Sequence, residues 1–309
     1  MVRALVLFSG GLDSRLVVKI LQEQGIEVIA VMFKLPFGEG CCNNLSCNFN
    51  FSQIQGVKLE IIDCTKGILF KKYMKILEHP KHGRGSGINP CIDCRIFMFS
   101  EAKILMKKFK CQFIATGEVL GERPMSQHKK SMDIIEAESG LKGKVLRPLS
   151  AKLFPETPAE KKKLVNRKLL LDIQGRQRHI QIALAKKYNI TYPAPAGGCL
   201  LCEKTCATKL KDLFEHSTKI SFPETASLNG FRHFRAEGKL IVGRRHEENL
   251  RLQELNKSLK WEIIVCTPDA PGPTCLYENK KDKKLAEKLV KVYSLNDLKL
   301  REEFEKYRI

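Results

Sequence analysis

The stretch LVLFSGGLDSRL, Leu5 to Leu16, limits what this chain can fold into more than any other. Ala4 to Phe8 is wholly apolar, as a parallel strand covered on both faces requires. After Ser9-Gly10-Gly11, the apolar residues Val17, Ile20 and Leu21 recur at helical spacing until Gly25 stops them. A strand that turns into a helix through two glycines opens a β-α-β unit. The stretch matches neither GxxxxGK(S/T) nor GxGxxG, yet it has the physics of a phosphate cradle. Glycines without a Cβ let consecutive backbone N–H groups point into one concavity, and the helix that follows adds a partial charge of about +0.5. Ser9 and Ser14 supply hydroxyls, whereas Asp13 repels phosphate unless it holds Mg²⁺ or caps the helix. That combination suits a pyrophosphate with its metal. The plainer alternative is a Gly-rich turn with ordinary capping.

Glu27 to Phe33, Val57 to Ile62 and Gln112 to Thr116 read as further strands, the last preceded by a basic helix around Ala102 to Lys108. Strands alternating with helices imply right-handed crossovers and an α/β, doubly wound parallel sheet. Pro36 to Asn48 and Gly83 to Pro90 are then polar loops, and loops at the carboxyl edge of such a sheet are where ligands bind. A chain of 309 residues is long enough for two domains. From about Phe222 the texture changes to short runs such as Leu240 to Val242 and Trp261 to Val265, then a Lys-rich helix near Asp282 to Tyr293. The expected division is residues 1–205 and a smaller α+β domain, 206–309, entered through a connector helix around Leu210 to Phe214.

Lys and Arg number 54 against 34 Asp and Glu, a formal charge of +20 and a sequence pI near 9.5. Such an excess points to a polyanionic partner; a generally basic proteome is the rival explanation. No apolar run approaches the roughly 18 residues of a membrane span, and the chain enters a strand without an apolar leader, so no membrane partner and a cytoplasmic location are expected. In that reducing compartment, 12 cysteines more often bind metal or do chemistry than form stable disulfides. Cys91 and Cys94 form one CxxC pair, Cys199 and Cys202 another, a spacing compatible with a structural zinc site. Cys64 and Cys111 read as small buried apolar residues, and Cys41, Cys42 and Cys47 form a further group without diagnostic spacing. His79, His82 and His128 sit in basic loops and receive no chemistry.

SGGxDS at the end of the first strand resembles the PP-loop of the ATP pyrophosphatases, which cleave ATP to AMP and pyrophosphate on a Rossmann-like (adenine nucleotide α-hydrolase) fold. NPCIDCR, FIATGEVLGERPMSQ, LRPLSAKLFPET and PAGGCLL together resemble tRNA sulfur-transfer enzymes of the 4-thiouridine synthase (ThiI) and 2-thiouridylase (MnmA) type, over about residues 1–205. The resemblance implies ATP and Mg²⁺ bound at Ser9, Gly10, Gly11, Asp13 and Ser14, with Gly117 and Glu118 beside the nucleotide and Arg123 and Gln127 reaching RNA phosphate or the adenylate. It singles out Cys91, Cys94 and Cys199 as the sulfur-handling set, either ligands of a [4Fe-4S] cluster with one iron left for sulfide or a cluster-free persulfide pair. Cys202 falls where relatives often lack a cysteine, which weakens the zinc reading. Sulfide or a cysteine desulfurase is the implied sulfur donor.

Full-length 4-thiouridine synthases carry an N-terminal THUMP region and a C-terminal rhodanese domain, and neither is expected here. Instead FRHFRAEGKLIVGRRHEENLRL, Phe231 to Leu252, and APGPTCL, Ala270 to Leu276, resemble the RNA-binding domain of NFACT proteins. That resemblance implies phosphate contacts from Arg232, His233, Lys239, Arg244 and Arg245 and base stacking on Phe231 and Phe234; an amphipathic hairpin with a solvated basic face is the alternative. The expected activity is ATP-dependent thiolation of a tRNA uridine, at O4 ahead of O2, with a small-molecule acceptor as the competing class.

Overall fold

The computed structural model describes the chain apart from residues 39–47, 49–50, 53–54, 195–198, 266–271 and 296–297. Cys41, Cys42, Cys47 and most of the PAGGC motif therefore lie outside the described residues. The described residues form two compact units, Met1–Cys199 and Leu200–Ile309. Leu200 to Thr205 thus go with the second unit, six residues ahead of the boundary expected from sequence.

The first unit is built on a five-stranded sheet of β1 (Arg3–Leu7), β2 (Glu27–Lys34), β3 (Lys58–Asp63), β4 (Phe113–Thr116) and β5 (Val145–Leu146). All pairs are parallel, in the order β3-β2-β1-β4-β5. Ala4 pairs with Val28 on one side and Phe113 on the other, and Ala4, Leu5 and Val6 are fully buried, which is why β1 contains no polar residue. Helices α1 (Leu12–Gln22), α2 (Gly67–Glu78), α3 (Cys91–Lys108), α4 (Lys129–Glu138) and α5 (His179–Lys187) accompany the sheet. Strand order reverses between β1 and β4, and in open parallel sheets the crevice at that reversal is the ligand site. The basic helix read around Ala102 to Lys108 is the last third of α3, which starts at Cys91. This is the Rossmann-like sheet expected from the sequence.

The second unit has α6 (Lys204–His216), α7 (Phe222–Ser227), β6 (Arg232–Arg235), β7 (Lys239–Val242), α8 (His246–Leu259), β8 (Glu262–Ile264), β9 (Cys275–Tyr277), α9 (Lys283–Leu295) and α10 (Leu298–Glu302). Its sheet is antiparallel, in the order β6-β7-β9-β8. Phe234, Leu240, Val242 and Tyr277 form one core with Leu289 of α9, while Phe231, Ile241 and Leu276 form another with Leu252 of α8. Strand alternation therefore feeds two apolar faces, each covered by a helix. Among the described residues no helix is long and apolar enough to cross a membrane.

Candidate active site

The chain leaves β1 at Leu7 and enters α1 at Leu12, so Ser9, Gly10 and Gly11 make the whole turn. Gly10 has φ +80°, a left-handed conformation that a side chain resists, and a Cβ there would lie 1.8 Å from Asn48 Oδ1. Gly11, the N-cap, has no side chain to bond the first helical N–H groups, which leaves them directed at the turn, the arrangement that binds anions. Ser14 is buried and donates its hydroxyl to the Gly11 carbonyl at 2.9 Å; Ser9 Oγ lies 3.4 Å from both Ser14 Oγ and Gly11 N. The loop residues named from the sequence thus come together as a cradle.

Arg15, which sequence reasoning passed over, locks that cradle. It is 2% exposed, donates from Nε to the Gly10 carbonyl at 2.6 Å and from Nη1 to the Thr191 carbonyl at 2.9 Å, and lies over the Phe51 ring at 4.6 Å. Its Nη2 is 3.4 Å from Asn48 Oδ1. An arginine directly before the apolar run Leu16-Val17-Val18, on the face the helix buries, was the available signal. Gly117, directly after β4, serves the same turn from the other side: a Cβ there would meet Ser14 N at 2.7 Å and Asp13 C at 2.8 Å. Backbone atoms cannot move aside, so the glycine permits the loops following β1 and β4 to touch.

Glu118 does not face the nucleotide crevice as expected. It is 2% exposed, and its carboxylate accepts from Arg147 Nε at 3.1 Å and pairs with Arg95 at 3.6 Å. Arg147 also bonds Glu136, whose other oxygen accepts the Gly143 N–H at 2.7 Å. A carboxylate this deep needs partners, and it has been given cations rather than solvent. Gln127 likewise turns inward: it is 4% exposed and its Oε1 accepts the Arg123 backbone N–H at 3.1 Å. Arg123 itself is exposed.

Asp13 sits in the first turn of α1 with one carboxylate oxygen buried and without a hydrogen-bond partner. Burial, then the neighbouring carboxylate of Glu122, pushes its pKa up to about 6; the Arg178 guanidinium, bonded to Glu122 at 2.6 and 3.1 Å, opposes the rise. The folded value lies above the unfolded one near 3.8, so the native state holds this proton more tightly. Stability is then lost as pH climbs from about 4 to 6, by about 2–3 kcal/mol. Asp13→Asn is expected to recover about that amount at pH 7.5 and to match the wild type at pH 3.5, as urea unfolding at both values would show. A variant no more stable at pH 7.5 would mean that Asp13 ionises without penalty.

The cysteines expected to handle sulfur lie at the same sheet edge. Because α3 runs into the start of β4, its 18 residues, about 27 Å long, return from the carboxyl edge, where Cys91 begins the helix. Cys91 and Cys94, one turn apart, share a helix face. Asn89 Nδ2 donates to Cys91 Sγ at 3.1 Å, oriented by the Gly87 N–H on its Oδ1 at 3.2 Å. Asp93 accepts the backbone N–H groups of Lys81 and His82 at 3.1 and 3.0 Å, tying the preceding loop to the CxxC turn. Cys94 Sγ lies 3.7 Å from the hydroxyl of Tyr73, a fully buried side chain that the sequence reading did not single out. Burial pushes the Cys94 thiol up to about 11. Tyr73 is held well above its ordinary value by burial and then by Cys94 and Cys199, so all three groups share one neighbourhood. Cys199, half-buried, donates to the Phe37 carbonyl, just past β2, at 3.3 Å. Among the described residues no three His, Cys, Asp or Glu side chains are close enough to hold a metal ion in this arrangement. Cys91, Cys94 and Cys199 nevertheless supply the soft donors an iron–sulfur cluster takes, in the same part of the fold. Cys64 and Cys111 are buried, as expected of small apolar residues.

In the second unit the expected RNA-binding set divides. His233 is 1% exposed, its Nε2 lies 2.9 Å from the Ser227 carbonyl, and burial holds its pKa well below 6.5, so it is neutral. Lys239 is 2% exposed and ion-paired at 3.1 Å to Asp212, which also grips Arg235 at 2.7 and 2.9 Å. Phe231 and Phe234 are fully buried. These four are buried because helices cover both faces of this sheet, and the polar groups of His233 and Lys239 are taken up within the protein, so none offers the exposed contact expected of it. Arg244 and Arg245 are exposed and Arg232 is half-buried.

Residues 2–142 match the family described as the tRNA methyl transferase HUP domain. The bifunctional protein NifU/MnmA of Rubrobacter xylanophilus is 29% identical over 123 residues, 38% of this chain. This chain spans only 25% of that curated relative. Among solved structures, the U34-tRNA thiolase NcsA from Methanococcus maripaludis with its [4Fe-4S] cluster is 16% identical at a TM-score of 0.39, over 74% of this chain and 70% of that one. A 4-thiouridine synthetase–RNA complex with bound ATP is 20% identical at a TM-score of 0.37, over 61% and 50%. The part of the chain that matches the tRNA methyl transferase HUP domain, residues 2–142, is the part that carries the glycine turn at the end of the first strand of the parallel sheet.

Proposed function

We propose that the chain is an ATP-dependent tRNA sulfurtransferase that makes a thiouridine, the 4-thio product in the first instance. The observation that carries this reading is the placement of the PP-loop and of Cys91, Cys94 and Cys199 at the carboxyl edge of one parallel sheet. The match of residues 2–142 to the tRNA methyl transferase HUP domain and the positive charge of the chain support RNA as the acceptor.

The turn from Ser9 to Gly11 and the first N–H groups of α1 bind the pyrophosphate moiety of ATP, and Asp13 with its raised proton affinity is placed to take Mg²⁺ in exchange for that proton. The uridine O4 attacks the α-phosphorus, and pyrophosphate leaves to the cradle. Adenylation makes the carbonyl oxygen a good leaving group, while the loop N–H groups stabilise charge developing on phosphorus. A sulfur nucleophile attacks C4, and AMP departs with the oxygen. Cys91, Cys94 and Cys199 would hold a [4Fe-4S] cluster, which when bound supplies an iron site for sulfide. In the cluster-free form, the terminal sulfur of a persulfide on one cysteine attacks C4; a second cysteine then displaces the product sulfur, leaving a disulfide for an external thiol to reduce. Sulfide is the proposed donor for the cluster form, and a cysteine desulfurase, which hands over sulfur already at the persulfide level, for the cluster-free form.

The test is release of pyrophosphate from ATP·Mg²⁺ by purified protein, with and without bulk tRNA, under anaerobic, sulfide-supplied conditions. Stimulation by tRNA of about tenfold or more is expected. Absence of pyrophosphate in every condition would leave the cradle as a nucleotide-binding switch and overturn the enzymatic reading.

A further inference from the structure

In the second unit, a cavity of about 620 Å³ is lined by four arginines, Arg232, Arg244, Arg301 and Arg308, together with Tyr293 and Glu305. Arg232 and Arg301 both lie over the Tyr293 ring, their guanidinium carbons 4.3 and 4.8 Å from its centroid. Arg232 Nη1 donates to the Gly243 carbonyl at 3.0 Å and Arg244 Nη2 to the Phe231 carbonyl at 3.3 Å, while Arg308 pairs with Glu305 at 2.6 Å. A guanidinium carries five N–H donors, so one carbonyl contact fixes the fork and leaves donors for a ligand. A second cavity of about 350 Å³ shares Arg232, Arg244 and Arg308 with the first and adds Lys209, whose three N–H groups go to the carbonyls of Leu228, Gly230 and Phe231 at 3.3, 2.7 and 3.0 Å, so that it brings charge but no spare donor. Glu302 and Glu305 in the first cavity and Glu203 in the second offset part of this charge. Burial first, and then Arg244 and Arg301, hold the pKa of Arg232 below its ordinary value, as expected where like charges crowd without an anion between them.

We propose that these joined cavities seat consecutive backbone phosphates of the RNA, with Arg301 and Arg308 as contact residues alongside Arg232 and Arg244. The inference rests on the tRNA reading above. Arginine forks bind phosphate oxygens in pairs and stack on aromatic faces, which suits backbone contacts that position an RNA without reading its sequence. Two adjoining cavities that share three arginines fit a chain of phosphates better than one small anion. The basic contact surface then lies on these arginines and not on the buried His233 and Lys239.

The experiment is filter binding of bulk tRNA to the full chain across a range of KCl, for the wild type, the double variant Arg301→Gln/Arg308→Gln, the single variant Arg244→Gln, and Lys260→Gln as an exposed charge-loss control. Circular dichroism confirms that each is folded. The double variant is expected to bind about tenfold more weakly at 0.1 M salt, with a salt slope shallower by about 1 to 2, because each phosphate contact contributes about 0.7–0.9 to that slope. Arg244→Gln is expected to lower affinity and slope by a smaller amount, and Lys260→Gln to leave both near the wild type. Wild-type affinity and slope in both arginine variants would overturn the cavity while leaving the tRNA reading intact. A wild-type chain that binds no tRNA would overturn both.

Discussion

Replacing Cys91, Cys94 or Cys199 with alanine is expected to lower sulfur transfer to tRNA by about 10³-fold or more while leaving tRNA-dependent pyrophosphate release within a few fold. The split follows from the fold. On the proposed reading adenylation takes place at the turn after β1, whereas the cysteines sit at the start of α3 and past the end of α5. Cys91 is held by the Asn89 amide, Cys94 by the Tyr73 hydroxyl and Cys199 by the Phe37 carbonyl, so each thiol has its own anchor and no one of them can replace another. Cys202, exposed and in the second unit, serves as the internal control: Cys202→Ala is expected to retain thiolation. Radiolabelled sulfide incorporation and pyrophosphate release, measured on the same preparations, check the prediction. Equal dependence on Cys202 would contradict it and point to a four-thiolate metal site.

Arg147→Met is expected to cost about 3–5 kcal/mol of unfolding free energy, the largest loss from any single change outside the apolar core. Arg147 is 4% exposed, between Glu118 at 2% and Glu136 at 8%. Removing the guanidinium leaves two buried carboxylates with, among the described residues, Arg95, 3.6 Å from Glu118, as the ion-pair partner that remains. The triple replacement Arg147→Met/Glu118→Gln/Glu136→Gln is expected to recover most of the loss, since the penalty comes from unpaired charge and not from the absence of the bridge. Urea unfolding at pH 7.5 distinguishes the two outcomes. A single variant within about 1 kcal/mol of the wild type would show that these carboxylates are solvated in the native protein.

What could be read from the sequence was what local spacing controls. The apolar run into Ser9-Gly10-Gly11 specifies a strand, a tight turn and a helix, whereas of the helix that begins at Cys91 only the basic end around Ala102 to Lys108 was legible. Ion pairing between residues far apart in the chain leaves no local trace. Glu118 and Arg147 are 29 positions apart and Glu122 and Arg178 are 56 apart, so the assignment of Glu118 to the nucleotide failed and the neighbours that tune Asp13 went unseen. Tyr73 lies on an amphipathic helix where nothing distinguishes it from an ordinary core aromatic. In the second unit the error had a different cause: Lys239 and His233 read as cationic surface, but helices cover both faces of this sheet, and Asp212 and the Ser227 carbonyl receive them.

The most direct test is mass spectrometry of tRNA nucleosides from cells with and without this gene, read for every thiolated base. Loss of one thiouridine, restored by the wild-type gene and not by the Cys91→Ala variant, is the expected result, and the mass and retention of the missing nucleoside identify the substituted carbonyl. Persistence of every thiolated base, with no second gene accounting for it, would contradict a role in tRNA thiolation and send the PP-loop to small-molecule acceptors.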